Sequence, residues 1–269
     1  MRAAASTRCL RLPGVAEALL KVERLTKRFG GVVASDGIFL DISRGELHAI
    51  IGPNGAGKTT LIGQLTGEIK PDGGSVEFGG RDITTLPVYA RSRLGLARSF
   101  QITSLFLEFT ALDNVALAIQ ANAGHSFRCW RSARSDPELR VPARSALEGV
   151  GLGHRADVLV SNMSHGEHRQ LELALALAAK PRMLLLDEPM AGLGPEESND
   201  MVATLRKLKG AVTILLIEHD MEAVFALADR ISVLVNGQVI ASGPPMEIRA
   251  DARVRQAYLG DGAAATTRA

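Results

Sequence analysis

A glycine-rich run of nine residues, GPNGAGKTT from Gly52 to Thr60, restricts the possible folds of this chain more than any other feature. It matches the pattern G-x-x-x-x-G-K-[ST], with Gly52, Gly57, Lys58 and Thr59 at the fixed positions. The mostly apolar residues LHAII before it predict a buried strand, and TLIGQLTG after it predicts the beginning of a helix. A strand, a glycine-rich turn and a helix in this order favour an α/β fold.

This turn has the composition of a phosphate-binding loop, because glycines allow successive backbone N–H groups to point inward at phosphate oxygens. We expect Lys58 to reach the β- and γ-phosphates of a nucleoside triphosphate, and the Thr59 hydroxyl to ligate Mg²⁺. The phosphates would then lie at a helix N-terminus, which favours anions. The predicted nucleotide-binding residues of the loop are Gly52, Pro53, Asn54, Gly55, Ala56, Gly57, Lys58, Thr59 and Thr60.

Length, charge and cysteine content limit the class of protein. The 269 residues, of which 46% are hydrophobic, are enough for one domain with subdomains and a full core. With 31 basic and 29 acidic residues the net charge is +2, which argues against a protein that binds nucleic acid electrostatically. Cys9 and Cys129 share no metal-binding spacing and suggest no disulfide framework, so we expect a reducing compartment.

No stretch of the sequence is apolar for long enough to span a membrane. The most apolar one, which begins at Leu171, meets Lys180, Pro181 and Arg182 after nine residues. The basic N-terminus, residues 1–16, has too short an apolar stretch for a signal peptide and is predicted to be a disordered tail. We therefore expect any membrane role to depend on a partner protein.

Apolar patterns divide the chain into a sheet-rich first part, a helical middle and a parallel-sheet last part. Alternation over Leu19–Ile51 predicts a small antiparallel sheet, which Ser75–Ile83 extends as a hairpin. The pattern over Ala97–Ala179 is mostly helical. Two buried strands with a helix between them, Arg182–Asp187 and Val212–Ile217, indicate a parallel sheet.

The last strong local signal is an Asn-Gly pair, Asn236–Gly237, which predicts a hairpin over Ile231–Gly243. We therefore predict one domain over residues 17–260, followed by a short tail over 261–269. Its three parts are the β subdomain with the phosphate-binding loop, a helical subdomain and the second part of the core, over residues 17–96, 97–179 and 180–260.

Two adjacent carboxylates, Asp187 and Glu188, follow the apolar run LLL. We expect Asp187, at a strand end, to hold Mg²⁺, and Glu188 to polarise the water molecule that attacks the γ-phosphate. Taken alone, an apolar strand that ends in acids is explained equally well by a solvated turn. Downstream of a phosphate-binding loop, the catalytic interpretation is favoured.

Two further motifs contain polar residues at the ends of predicted elements. In IEHD, His219 follows a buried strand and is expected at the same sheet edge as Lys58 and Asp187, near the γ-phosphate or the attacking water. In SHGEH, Ser164 is predicted to be a helix N-cap, with Gly166 in the first turn. This helix N-terminus is a second anion site, although the glycine-rich loop already accounts for the phosphates.

The order of these motifs resembles that of ABC-transporter ATPases, from Leu19 to about Gly260. The resemblance implies a P-loop NTPase fold, with a RecA-like parallel sheet core, an antiparallel β subdomain and an inserted helical subdomain. It also implies that two ATPase subunits bind ATP and Mg²⁺ between them, head to tail. Ser164 and Gly166 would then contact the nucleotide of the partner subunit, which explains the second anion site.

The resemblance also assigns roles to single residues. Gln101 in RSFQ would link Mg²⁺ to the membrane subunits, and Phe29 in TKRFGG would stack on adenine. The implied metal ligands are Thr59, Gln101 and Asp187, and the implied catalytic residues are Lys58, Glu188 and His219.

The chain departs from the usual family pattern at two places. In the signature motif, His165 and His168 stand where the family usually has glycine and glutamine, and Gly194 stands where the D-loop usually has aspartate. Both departures concern the site shared with the partner subunit, whereas every residue assigned to phosphate, Mg²⁺ and water is present.

Within the family, several segments resemble the larger ATPase of branched-chain amino-acid importers, namely RFGGVVA, LTGEIKPDGGSV, ARSFQ, DNVALA and AGLGPEES. That resemblance implies a second ATPase that is a paralogue, two transmembrane permeases and an external solute-binding protein, with this chain on the cytoplasmic face of the inner membrane. The alternatives are an importer of urea, amides or aromatic acids, a lipopolysaccharide-type export ATPase, a soluble ABC protein acting on ribosomes or DNA, and a subunit that binds ATP without hydrolysing it.

Overall fold

The computed structural model describes residues 18–98, 105–122 and 136–262, the last five by their backbone alone. Gln101, both cysteines and the predicted N-terminal tail lie outside these ranges. The final helix ends at Gly262, so it includes the first two residues of the predicted C-terminal tail.

Strands and helices follow one another throughout the described ranges. The strands are β1 Ala18–Phe29, β2 Val32–Ser43, β3 Leu47–Ile51, β4 Gly73–Phe78, β5 Arg81–Asp82, β6 Leu96–Arg98, β7 Met183–Asp187, β8 Thr213–Ile217, β9 Arg230–Val235 and β10 Gln238–Gly243. The helices are α1 Lys58–Thr66, α2 Val88–Arg93, α3 Ala111–Asn122, α4 Pro137–Gly149, α5 His165–Ala178, α6 Pro195–Leu208, α7 Met221–Leu227, α8 Pro245–Ala250 and α9 Ala252–Gly262.

The smaller sheet is antiparallel and has the strand order β2-β1-β4-β5. Its strands β4 and β5 form the predicted hairpin, and the predicted antiparallel sheet is confirmed as far as Ser43. Strand β3 instead belongs to the second sheet. All five of its side chains are buried, and a strand covered on both faces suits the middle of a parallel sheet.

The larger sheet has the order β10-β9-β3-β8-β7-β6. Strands β9, β3, β8, β7 and β6 run parallel to one another, and β10 joins antiparallel through the predicted turn at Asn236 and Gly237. The φ angles of these two residues are 47° and 77°, as a two-residue type I′ hairpin requires. The carboxyl ends of β3, β8 and β7 therefore lie side by side at one edge.

Apolar side chains cover both faces of the larger sheet. In β3, Leu47, Ala49 and Ile51 pack with helices α3 to α7, whereas Ile50 packs with α1 and the smaller sheet. Successive side chains of a strand point to opposite faces, so one strand supplies both clusters. The loop that follows β3 is consequently held by a strand that is fixed on both sides.

Helices α3, α4 and α5 pack together as the helical middle of the chain. Helix α4 has a regular start, because Asp136 accepts the N–H of Glu138 and Pro137 takes the first helical position. The helical pattern predicted from Ala97 onward is wrong at its start, where β6 pairs with β7; three residues are too few for a periodic signal. None of the helices in the described ranges combines the length and the hydropathy that a bilayer crossing needs.

A buried polar cluster joins β3 to β9 at the edge opposite the glycine-rich loop. The buried His48 ring places Nδ1 2.8 Å from Glu46 Oε1 and Nε2 2.8 Å from Ser232 Oγ. Arg230 Nε donates to Glu46 Oε1 at 2.8 Å. Burial alone would raise the pKa of Glu46, but hydrogen bonds from His48, from Arg230 and from a backbone N–H lower it to about 2.

Replacing Glu46 by Gln is expected to destabilise the protein near neutral pH, by up to about 3 kcal/mol. The folded-state pKa of Glu46, about 2, lies below the ordinary value of 4.5. The carboxylate therefore stabilises the fold above the unfolded-state pKa, and this contribution is lost as the pH falls through the folded-state pKa. Urea unfolding should show a larger difference between wild type and Glu46→Gln at neutral pH than at acidic pH.

Glu77→Gln is the matched control, since Glu77 is exposed on β4, and its effect should be within about 0.5 kcal/mol. An equal loss of stability in Glu46→Gln at both pH values would contradict the assigned role of the carboxylate.

Candidate functional site

The glycine-rich loop connects β3 to α1 and passes very close to the backbone of neighbouring strands. A Cβ atom at Gly52 would overlap the carbonyl oxygen of Leu234 in β9, and one at Gly57 would overlap that of Ala34 in β2. Gly57 is also the N-cap of α1, with a φ of 104° that side-chain-bearing residues rarely adopt. The fixed glycines of the motif therefore allow the loop to close against the sheet.

Lys58 occupies the interior of this loop. Its ammonium donates to the carbonyl oxygens of Gly52 at 2.6 Å and Pro53 at 3.1 Å. Burial lowers the pKa of the Lys58 ammonium, and the carboxylates of Glu188 and Asp187 act in the opposite direction. Strands β3 and β7 flank β8 in parallel, so the loop after β3 and the acidic pair at the end of β7 lie at the same edge of the sheet.

The acidic pair lies where β7 ends. Asp187 is the last, buried residue of the strand, and Glu188 has a φ of 51°, which is uncommon for a residue other than glycine. The Glu188 N–H donates to the carbonyl of Ile217 in β8 at 2.9 Å, and its Oε1 lies 2.7 Å from His219 Nε2. The sharp turn after Asp187 thus places Glu188 against the histidine that follows β8.

Arg98 is a neighbour of Asp187 that the sequence motifs do not single out. Its Nη2 donates to Asp187 Oδ2 at 3.1 Å, and its Nη1 donates to Glu68 Oε2 at 2.5 Å. Burial raises the pKa of Asp187, Arg98 opposes this effect and Glu188 adds to it. An arginine at the end of a three-residue edge strand leaves no pattern in the sequence by which its role could be recognised.

Glu218 is a second residue that the motif analysis passes over, although it lies inside IEHD. It is 4% exposed, and its carboxylate accepts the N–H of Met190 at 2.8 Å and of His219 at 3.0 Å. Burial raises the pKa of Glu218, and these backbone hydrogen bonds act against the rise. The bonds tie the segment after Glu188 to the segment that carries the histidine. The sequence contains one signal for Glu218, namely an acid placed directly between an apolar strand and a histidine. Such an acid can be buried, and a buried carboxylate requires hydrogen-bond donors.

The N-terminus of α5 is capped as the sequence predicts. Ser164 is the N-cap: its Oγ accepts the N–H of Glu167 at 3.2 Å, and Glu167 Oε2 accepts the N–H of Ser164 at 2.8 Å. This reciprocal pair is a capping box, which satisfies two N–H groups that the first turn leaves free.

A further carboxylate, Glu197 of α6, also reaches the N-terminus of α5. Its Oε1 accepts the N–H of Gly166 at 3.1 Å and lies 3.5 Å from Ser164 Oγ, while its Oε2 accepts the N–H of Gly194 at 3.1 Å. One side chain therefore caps two helices. A Cβ atom at Gly166 would overlap the Glu197 carboxylate, so the glycine is needed for this contact.

The other predicted site residues are placed as follows. Phe29 ends β1 with half of its ring exposed, and the Lys27 ammonium lies 5.3 Å from the ring centroid. Thr59 is exposed in the first turn of α1. Gln101 lies outside the described residues. The structure thus brings together Lys58, Asp187, Glu188 and His219, whereas Ser164 and Gly166 belong to a separate helix N-terminus.

Comparison with protein families assigns the chain to a family. A family model described as ABC transporter matches residues 35–191, and one described as branched-chain amino acid ATP-binding cassette transporter matches residues 238–264. The first match covers more than half of the chain, including the glycine-rich loop and the acidic pair. The chain belongs to the ABC transporter family.

Relatives within the family match the chain over nearly its full length. The high-affinity branched-chain amino acid transport ATP-binding protein BraF of Pseudomonas aeruginosa is 39% identical, over 90% of this chain and 98% of the relative. The corresponding protein LivG of Escherichia coli is 38% identical, over 92% of this chain and 100% of the relative.

Solved structures of other ABC cassettes share the fold. The ADP conformation of an ATP-binding cassette of an ABC transporter has a TM-score of 0.80 and 32% identity, covering 91% of this chain and 100% of that one. A dimeric cassette in a post-hydrolysis state, bound to ADP and Pi, has a TM-score of 0.70 and 25% identity, covering 84% and 98%. The predicted fold class is confirmed.

Replacing Gly52 by Ala is expected to destabilise the protein by about 2–4 kcal/mol, because the new methyl group must displace the β9 backbone at Leu234. Gly149→Ala is the control, since a Cβ atom at the end of α4 meets no atom within 4 Å. Chemical unfolding of the two variants beside wild type measures the difference. A Gly52→Ala variant as stable as Gly149→Ala would show that the loop does not depend on this close approach.

Proposed function

We propose that this ABC family member is the ATP-hydrolysing subunit of an importer that takes up branched-chain or related amino acids. The observation that carries the proposal is the meeting of Lys58, Asp187, Glu188 and His219 at one edge of the parallel sheet, beside a closed glycine-rich loop. The transport class is supported by the names of the relatives and by the family match over residues 238–264.

In the proposed site, ATP phosphates bind the N–H groups of the loop and of the first turn of α1. Lys58 then exchanges its two carbonyl partners for β- and γ-phosphate oxygens, which are stronger acceptors because they are charged. The half-exposed ring of Phe29 stacks on the adenine base.

In the proposed hydrolysis, a water oxygen attacks the γ-phosphorus and the bond from that phosphorus to the ADP oxygen breaks. Glu188 accepts the proton of the attacking water, and His219, 2.7 Å from its carboxylate, holds it in position. Glu218 supports both residues, because it fixes the backbone of His219 and of Met190. Most of the rate enhancement then comes from positioning and charge stabilisation.

The oxygen donors at the site are suited to Mg²⁺, which prefers oxygen ligands and retains several waters. The Asp187 carboxylate is buried at a cost that a bound cation would offset. The described residues contain no cluster of three or more His, Cys, Asp and Glu side chains that could hold a metal ion. Asp187, Thr59 and Gln101 would therefore share the ion with the phosphates, whose charge Mg²⁺ neutralises when bound.

The N-terminus of α5 supports a head-to-tail pair of ATPase subunits. We propose that the other subunit is a paralogue. The N–H of Gly166 and the hydroxyl of Ser164 would contact the γ-phosphate of the partner's ATP. Glu197 now occupies that N–H, so the partner's nucleotide must displace its carboxylate. ATP binding would close the pair and hydrolysis would reopen it.

We propose that the pair lies on the cytoplasmic face of the inner membrane and contacts two permeases. These permeases receive the solute from an external solute-binding protein. A groove of about 270 Å³ among α2, α3, α5 and β6 is available to a permease segment. In the proposed division of the chain, this groove lies between the first part, residues 17–96, and the helical part, residues 97–179. Gln101 lies three positions after the end of β6 in the sequence, and we propose that it connects the groove to the nucleotide.

Glu188→Gln is expected to lower the ATPase rate by at least about 100-fold, because the amide cannot accept a proton from water. ATP binding should persist, so the variant should form stable ATP-bound dimers in size-exclusion chromatography. Glu148→Gln, at an exposed position of α4, is the control and should turn over like wild type. Rapid turnover by Glu188→Gln would contradict the assignment of the base.

Purification of the tagged chain from its native membranes tests the transport proposal. Two multi-span permeases and a second ATPase are expected to co-purify, and the associated binding protein should bind leucine, isoleucine or valine in calorimetric titrations. Recovery of the chain with ribosomes or nucleic acid would contradict transport. If the binding protein binds only urea, amides or aromatic acids, the importer proposal stands but the transported solute is a different one.

A further inference from the structure

The guanidinium of Arg98 bridges two carboxylates that belong to different regions of the molecule. It donates through Nη2 to Asp187 at 3.1 Å and through Nη1 to Glu68 at 2.5 Å. The Asp187 side chain is 4% exposed, whereas that of Glu68 is 39% exposed. Arg98 therefore has one partner inside the proposed metal site and one partner near the surface.

The fold sets this bridge at the edge of the larger sheet. Arg98 is the last residue of β6 and pairs in register with Leu185 of β7, two residues before Asp187. Glu68 follows α1, the helix whose first turn carries Lys58 and Thr59. Arg98 and Glu68 both line the 270 Å³ groove, together with residues of α2, α3 and α5. The bridge thus runs from the groove wall to the nucleotide site.

We infer that the Arg98 guanidinium is shared between Asp187 and Glu68 and that it competes with the metal ion for the Asp187 carboxylate. This inference rests on the proposed function, because it requires Asp187 to act as a ligand of Mg²⁺. A divalent cation beside Asp187 repels the guanidinium, so metal binding moves Arg98 towards Glu68. Loss of the Glu68 charge has the opposite effect, because Arg98 then interacts more strongly with the Asp187 carboxylate.

The two sites are consequently coupled in both directions. Anything in the groove that neutralises or engages Glu68 weakens metal binding, and metal binding strengthens the Arg98–Glu68 pair by the same factor. A cationic segment of a permease seated in the groove is the partner chemistry that would use this link. Occupancy of the groove would then change metal binding at the phosphate site through Arg98, which does not contact the nucleotide.

A purely structural Arg98 makes different predictions. If the arginine only offsets the burial of Asp187, its removal should weaken metal binding or the fold, and Glu68 should have no influence on the metal. If the Arg98 guanidinium is shared between Asp187 and Glu68, Arg98→Gln and Glu68→Gln should have opposite effects on metal binding. It also predicts that the effect of Glu68→Gln requires Arg98.

The experiment titrates the full-length chain with a fluorescent non-hydrolysable ATP analogue, in Mg²⁺ and in EDTA. The Kd in EDTA divided by the Kd in Mg²⁺ isolates the contribution of the metal from that of the nucleotide, and this ratio falls when metal binding weakens. Glu68→Gln should lower this ratio by about fivefold and Arg98→Gln should raise it by a similar factor, within the usual range of coupling between sites. The double variant should match Arg98→Gln alone.

Glu172→Gln is the matched control, because Glu172 lines the same groove but pairs with Arg169 at 3.0 Å. The ratio of the two Kd values for this variant should equal that of wild type.

Arg98→Lys is a second test, for the case that Arg98→Gln does not fold. Glu68→Gln itself is expected to fold, because Glu68 is substantially exposed. Lysine keeps the charge without the fork that reaches two carboxylates, so Glu68→Gln should lose its effect in that background.

Equal ratios for all variants would overturn the inference, as would a Glu68→Gln effect that persists in the Arg98→Gln background. A lowered ratio in Arg98→Gln would show that the arginine supports the metal carboxylate instead of competing for it. Failure of the wild-type chain to bind the analogue at all would overturn the proposed function, and this result is distinct from the others.

Discussion

The parallel pairing of β3 with β8 and of β8 with β7 brings three distant chain segments to one edge of the sheet. The register is shared, since Ile217 of β8 pairs with Ile50 on one side and with Asp187 on the other. Because side chains alternate between faces, a slip of one residue in either pair would turn the acidic pair or the loop away from the site. The fully buried strands prevent such a slip, so the apolar core fixes the geometry of the polar site.

Burial of charged groups at this edge is offset by the protein's own polar atoms. Lys58 donates to carbonyls of its loop, and Arg98 donates to Asp187. At the separate N-terminus of α5, Glu197 accepts the N–H of Gly166. Each of these contacts satisfies a group that the proposed function assigns to a phosphate or to Mg²⁺. Nucleotide binding would therefore replace protein hydrogen-bond partners by phosphate or Mg²⁺ instead of satisfying groups that had no partner. The free energy of nucleotide binding would then be the difference between two sets of charge-assisted hydrogen bonds.

Short-range features of the sequence predicted much of this arrangement. The glycine-rich loop, the Asn236–Gly237 hairpin and the N-cap at Ser164 each depend on a few adjacent residues, and all three are confirmed as local structures. The contacts of Arg98 with Asp187 and of Glu197 with Gly166 join residues 89 and 31 positions apart. No local pattern encodes such pairs, because they arise only when sheet order and helix packing are set.

The double role of Glu197 limits what must change when the proposed partner binds. Its Oε1 would leave the N–H of Gly166, while its Oε2 can remain on the N–H of Gly194 at the start of α6. The exchange then breaks the contacts of Oε1 with the Gly166 N–H and with Ser164 Oγ and leaves the cap of α6 in place. The two helix N-termini can therefore separate without either one fraying, because α5 keeps its own capping box. Gly194 has no side chain that could form a polar contact, so its backbone N–H, through the Glu197 carboxylate, ties this turn to α5. A nucleotide on α5 would thereby release the turn that follows the acidic pair, which links the partner's ATP to the segment that carries Glu188.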